Sequence, residues 1–143
     1  MNTHPTTPFS NLRFAVIGIA MKLQNRLGTA HKEQVYHKMF LAELQQAGYS
    51  VESEPQLQIR TATGDVAATY RPDFRLVHEA ATLLIEIKAD PDGLQTSHRR
   101  QAQAYLSVDQ DARAVLLINF ARRLPDGKGK RSLEWAVIFR KDL

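Results

Sequence analysis

Apolar positions along the chain fall into two periods. From Ser10 or Asn11, either of which suits an N-cap, Leu12, Val16, Ile17, Met21 and Leu23 recur at helical spacing, and Gly28 suits the end of that helix. A second helix is predicted from about Ala30 to Ala47, with Val35, Tyr36, Met39, Phe40 and Leu44 turned inward and Gly48 as its stop. The period then shortens to two. Val51, Pro55, Leu57 and Ile59 alternate with polar residues between Tyr49 and Ile59, as in one amphipathic strand whose proline demands an edge or an irregular place. Thr63-Gly64-Asp65 reads as a turn, and Val66 leads into a strand that carries Asp73.

Two strand-like stretches meet between Tyr70 and Lys88, separated by the short break His78-Glu79-Ala80-Ala81. In the second stretch Leu83, Ile85 and Ile87 alternate with Leu84, Glu86 and Lys88, the pattern of a strand with one face buried. A symmetric four-residue loop makes the pair a hairpin and sets Asp73 opposite Glu86. Beyond the loop Asp90-Pro91-Asp92-Gly93, Thr96 or Ser97 can cap a third helix that reaches Val108. Ala114 to Phe120 is nearly unbroken in apolar residues and suits a strand buried on both faces. Asn119 near its end reads as a hydrogen-bonded structural residue. Arg122 to Arg131 is a flexible basic loop, and Leu133 to Phe139 a last strand, with Trp135 expected to pack.

Composition adds bounds. The chain has 143 residues, 43% hydrophobic and 24% charged, enough for one core and ordinary for a globular protein. We expect a disordered tail over residues 1–9 and a single domain over residues 10–143. Cysteine is absent, which excludes disulfides and thiolate-bound zinc. The apolar run Phe14 to Met21 is too short to span a bilayer and lacks the layout of a signal peptide, so no membrane is expected and a cytoplasmic location is. The net charge is +4, and between Arg113 and Lys141 basic residues far outnumber Asp126 and Glu134. Such a surface attracts polyanions, nucleic acid first among them, or is simply solvated.

The chemistry concentrates at the hairpin. Two like charges directly opposed on neighbouring strands are unfavourable, and a divalent cation between them reverses the sign. A lysine alongside can orient a metal-bound water or steady a phosphate. The bland alternative is an acid pair that Lys88 merely neutralises.

Pro72-Asp73 followed by Glu86-Ile87-Lys88 resembles the signature of the PD-(D/E)xK nuclease superfamily. Within it the chain resembles small bacterial proteins named for a GxxExxY motif, from about residue 12 to about residue 133. The helix ending in Leu27-Gly28, the pair Glu33 and Tyr36, the pair Gln101 and Tyr105, and the strand Leu117 to Phe120 follow in matching order. Ala30 stands where the motif has glycine, and Gln24 where the preceding helix has histidine.

The resemblance implies a restriction-endonuclease-like α/β core, with a mixed four- to five-stranded sheet flanked by helices. It implies a nuclease that uses Mg²⁺ or Mn²⁺, held by Asp73 and Glu86 with the Ile87 carbonyl and Glu33. Lys88 would activate the attacking water, and Gln101 would shape the site. Tyr36, Arg99, Arg100, Tyr105, Arg122, Arg123, Lys128, Lys130 and Arg131 are the candidates for contact with nucleic acid, DNA expected before RNA. Several alternatives stay open on the residues themselves. Glu33 is equally a surface acid favoured by the helix dipole, and Tyr36 a core-edge residue. Arg99 and Arg100 oppose the dipole of their helix, which phosphate contact or a tolerated surface cluster explains. A nuclease-like fold kept as a binding or scaffolding subunit is the runner-up, and a homodimer or a larger complex is a further possibility.

Overall fold

In chain order the elements are α1 (Pro8–Leu27), α2 (Glu33–Gln46), β1 (Ser50–Ser53), β2 (Leu57–Arg60), β3 (Val66–Tyr70), β4 (Phe74–His78), β5 (Ala81–Lys88), α3 (Thr96–Val108), β6 (Ala112–Asn119) and β7 (Glu134–Phe139). They come from a computed structural model, which describes residues 8–140. The expected tail falls mostly outside that range, while Pro8 and Phe9 belong to α1 and Phe9 is buried in the core.

Five strands form one sheet in the order β1-β4-β5-β6-β7, and β2 and β3 form a separate two-stranded sheet. The β5–β6 pair is parallel, with α3 as its crossover, and the remaining pairs are antiparallel. The result is the mixed α/β sheet flanked by helices that the sequence implied.

Two layers cover the sheet. On one face α1 and α2 pack Val16, Leu23, Tyr36, Phe40 and Leu44 against Leu83, Ile85, Ile87, Leu116 and Ile118. On the other, α3 packs Ala102, Tyr105 and Leu106 against Leu84, Val115 and Leu117. β5 is therefore buried on both faces, not on one, because a central strand between two helical layers has no solvent face. Its polar residue Glu86 is carried into the interior with the rest.

Other expectations shift in detail. Met21 and Val35 point outward, since the buried stripe of each helix is narrower than its apolar pattern. The single strand expected over Tyr49–Ile59 is two, broken at Glu54, whose φ is 51°, and at Pro55. The first piece stays in the main sheet and the second joins β3. The strand expected to run from Val66 through Asp73 likewise ends at Tyr70, and Asp73 sits just before β4. The hairpin loop is Glu79-Ala80 alone, since His78 pairs with Ala81, yet the register is the one expected: Phe74 opposite Ile85, and so on back to the loop.

Helix ends follow local chemistry. Gly48 adopts φ 93° after α2, its amide donating to Gln45 O at 3.0 Å and that of Tyr49 to Leu44 O at 3.2 Å, the closure of a Schellman motif. α3 is capped one residue earlier than expected, by Gln95 in a reciprocal box with His98. Asn119 is fully buried and structural, as expected: Oδ1 accepts from the Asp90 amide at 2.8 Å, and Nδ2 donates to Asp90 O and to Glu134 Oε1.

Candidate functional site

Asp73 and Glu86 are held by one another's strand. The Asp73 amide donates to Glu86 Oε1 at 3.1 Å, and the Ile87 amide donates to Asp73 Oδ2 at 2.7 Å. The hairpin register thus fixes both acids through backbone as well as through side-chain rotamers. It is the Ile87 amide that reaches Asp73, not the carbonyl expected from the sequence. Lys88, two residues after Glu86 on the same side of β5, places Nζ 3.1 Å from Glu86 Oε2. From α3, the Tyr105 hydroxyl donates to Glu86 Oε1 at 3.2 Å.

The electrostatics follow from burial. Glu86 is 5% exposed, and desolvation, with the charge of Asp73 second, pushes its carboxyl up to about 7 against the pull of Lys88. Burial and the Glu86 charge raise the Tyr105 hydroxyl, which therefore stays a proton donor. Glu33, in the first turn of α2, is largely open to water, yet crowding by neighbouring atoms and then the charge of Asp73 raise its carboxyl. Lys88 and the Ala89 backbone act in the opposite direction, which places Glu33 within the field of the same cluster.

His37, one helical turn beyond Glu33, was not singled out from the sequence. Its ring packs on Phe74 at a centroid distance of 4.5 Å, and Nε2 lies 3.3 Å from Asp73 Oδ1, close enough for an ion pair but not aligned as a hydrogen bond. Contact with Asp73 raises its pKa over the opposing effect of burial, and the charges of Asp73, Glu54 and Glu33 add to the rise. The available signal was its spacing of four residues from Glu33, which puts both on one helix face. Glu33, Gln34, His37, Glu54 and Asp73 line an open groove of about 330 Å³. That groove is the solvent path to Asp73.

The remaining candidates divide. Gln101 is half-buried on α3, one turn before Tyr105. Arg99 and Arg100 are exposed in the first turn of α3. The basic loop folds back on itself through an Arg123–Gly129 bridge and a 2.7 Å bond from the Leu124 amide to Lys128 O. In that loop Arg123 donates to Gly127 O, and Lys130 sits 3.8 Å from Glu134. Lys128 and Arg131 are exposed, and Arg122 is near enough to Tyr36 to influence its hydroxyl. Among the described residues none of these cations forms an ion pair with Asp73 or Glu86.

Tyr36 and Tyr105 cannot offer surface to a polymer. Tyr36 is fully buried, stacked on Phe120 at 4.7 Å, with its hydroxyl donating to Gly28 O; Tyr105 is buried against Glu86. The expectation that they contact nucleic acid is corrected accordingly: apolar rings of that size are worth more in the core than outside it. Gln24, standing in place of a histidine, ties α1 to the chain after β6. Its Nε2 donates to Gly28 O and Ala121 O, and its Oε1 accepts from the Ala121 amide.

Among the described residues no three His, Asp or Glu side chains close around one point. Mg²⁺ commonly takes only one or two carboxylates from a protein and fills its shell with waters and substrate phosphates. The donors at hand are hard carboxylate oxygens whose mutual repulsion already lifts the Glu86 and Glu33 pKa values, and a divalent cation relieves that repulsion. On that ground the residues fit such an ion.

A family model for the PD-(D/E)XK nuclease superfamily matches residues 10–132. No curated protein matches the chain. Among solved structures, the crystal structure of SSO0001 superposes with a TM-score of 0.52 at 21% identity, over 75% of this chain and 50% of that one. The chain therefore spans half the length of that protein, and the likeness speaks to fold alone. No helix of the described residues is long and apolar enough to cross a membrane.

Proposed function

The chain belongs to the PD-(D/E)XK nuclease superfamily, and from that premise we propose that it is a divalent-metal-dependent nuclease hydrolysing phosphodiester bonds of DNA or RNA. The observation that carries this reading is the reciprocal bonding of Asp73 and Glu86 with Lys88 Nζ 3.1 Å from Glu86. Within the superfamily, the spacing of Glu33, Tyr36, Gln101 and Tyr105 supports a place among the GxxExxY proteins.

Asp73 and Glu86 would hold Mg²⁺ or Mn²⁺, with Glu33 adding charge from the α2 side of the groove. When bound, such an ion polarises the phosphate and lowers the pKa of a coordinated water. Lys88 lies where an ammonium can orient that water and offset charge building on the phosphoryl oxygens. Tyr105 fixes the Glu86 carboxylate by donating to it, and so acts as a positioning residue. Arg99 and Arg100, with Arg122, Arg123, Lys128, Lys130 and Arg131, supply exposed or half-exposed cations for polymer phosphates.

Cleavage of plasmid DNA and of RNA with Mg²⁺, Mn²⁺ or EDTA tests the proposal, comparing the wild type with Asp73→Ala and Lys88→Ala. Metal-dependent cutting that both substitutions abolish is the expected result. The lack of a closed three-ligand cluster favours a second reading, a binding subunit without activity. Tight binding without cutting, indifferent to Asp73→Ala, would support that one instead.

A further inference from the structure

The last strand of the sheet is built like an interior strand and left at an edge. β7 pairs with β6 over six consecutive residue pairs without a bulge, and among the described residues no strand pairs with the outer edge of residues 134–138. Between Glu134 and Arg140 the sequence Trp135-Ala136-Val137-Ile138-Phe139 has neither a charge nor a proline. Edge strands normally carry lysine, proline or a bulge, because an unmarked apolar edge is a template for further pairing. Trp135 is 43% exposed, against the expectation that it packs.

The helix beside this edge shows the same feature. Phe9 of α1 meets Phe139 edge-on at 6.1 Å, and the Arg13 guanidinium lies over the Phe139 ring at 5.8 Å, so α1 runs along β7. Met21, from the far part of α1, shares a groove with Leu133 just before β7. Phe14 and Met21 are 62% and 45% exposed. They form an apolar rim on the same flank as Trp135.

We infer that β7 is a homodimer edge, on which a second copy of this chain pairs its own β7 antiparallel about Val137. The strand is complementary to itself in that register. Antiparallel self-pairing sets Glu134 of one copy opposite Arg140 of the other, and Trp135 opposite Phe139, the opposite-charge and aromatic cross-strand pairs that stabilise sheets. Trp135 and Phe139 are both odd-numbered positions on the side of the sheet that faces α1, as the pairing of Trp135 with Ile118 shows, so the two rings lie on one face. One surface used twice about a two-fold axis is the usual form of a closed dimer.

The geometry has a consequence for the proposed nuclease, although the dimer does not rest on that proposal. The joined sheet runs β5-β6-β7-β7-β6-β5, so the two β5 strands lie five strand spacings, about 24 Å, apart. They run in opposite directions, and Lys88, the last residue of β5, ends each at opposite sides of the sheet. The two sites therefore open away from one another and act on separate polymer segments.

Sedimentation equilibrium and a single-cysteine crosslink test the dimer. The wild type is expected at twice its chain mass of 16.2 kDa at tens of micromolar. Trp135→Lys, which alters an exposed side chain and so preserves the fold by circular dichroism, should weaken association at least tenfold. Because the chain contains no cysteine, Val137→Cys introduces a single thiol on the dyad, which should oxidise to a covalent dimer, while Ser53→Cys on the opposite edge strand β1 should not. A monomeric wild type would overturn the inference. So would a dimer that Trp135→Lys leaves intact, or one that crosslinks through Ser53→Cys as readily as through Val137→Cys.

Discussion

Glu86 Oε1 accepts the backbone amide of Asp73 at 3.1 Å, so the acid that β5 contributes is anchored by the very residue that carries the other acid. Neither side chain can turn away without breaking a backbone bond between the strands. The cost is electrostatic: burial and the nearby charge of Asp73 hold the Glu86 carboxyl at about 7.

That shift sets a pH dependence. The folded protein holds the Glu86 proton more tightly than the unfolded chain does, so the resulting stability is fully present below about 4.5 and lost as pH rises through about 7. The upper bound is roughly 3 kcal/mol. We expect the metal-free protein to melt several degrees lower at pH 8 than at pH 5, with Glu86→Gln flattening that slope. Mg²⁺ should raise the melting temperature more at pH 8 than at pH 5. Thermal melts across the range, with and without Mg²⁺, check both signs.

Tyr105→Phe removes one of the two donors to Glu86 Oε1 and leaves no buried group without a partner. A cost of about 1 kcal/mol is expected, equivalent to a fall of about 3 °C in Tm. The lost donor favoured the carboxylate form, so the pH at which Mg²⁺ begins to stabilise the protein should move up. Scanning calorimetry of the variant at several pH values reads both effects.

His37→Asn separates the helix histidine from Asp73. The folded pKa of His37 is raised, so its contribution is present below about 6.5 and disappears as pH climbs through the folded value. The pair is partly open to water, which limits the effect to about 1 kcal/mol or less. Since the imidazolium and a divalent ion compete for the same carboxylate, Mg²⁺ should bind His37→Asn a few-fold more tightly than wild type at pH 6 and equally at pH 8. Titration calorimetry at the two pH values measures this directly.

Gln24→Ala strips the buried Ala121 amide of its acceptor and frees the junction between α1 and the start of the basic loop. A loss of about 2–3 kcal/mol is expected, as for other buried donors left unpaired. Chemical denaturation should show a lower midpoint with an unchanged slope.

The fold was legible where periodicity and punctuation agreed. The three helices, the hairpin register and the buried run of β6 all carried enough apolar repeats to fix their place. Asp73 and Glu86 were legible because a strand has a period of two and the loop is short: a four-residue and a two-residue loop about the same centre give the same register. The double burial of β5 was hidden, since Glu86 and Lys88 look like a solvent face until α3 is laid over them. His37 was hidden because its meaning depends on α2 crossing the sheet next to Asp73, a tertiary relation with only helical spacing to announce it. Tyr36 and Tyr105 misled for a related reason: a hydroxyl on a large ring suits a wet site and a bonded core position alike, and only packing decides.

The most direct test of the acid pair is a crystal soaked in Mn²⁺ and measured for anomalous scattering, with Asp73→Asn as control. We expect a peak bonded to carboxylate oxygens of Asp73 and Glu86 at about 2.0–2.2 Å, as befits a small divalent cation, and absent from the control. Mn²⁺ density elsewhere, or none at all while Lys88 remains on Glu86, would contradict the proposed metal site.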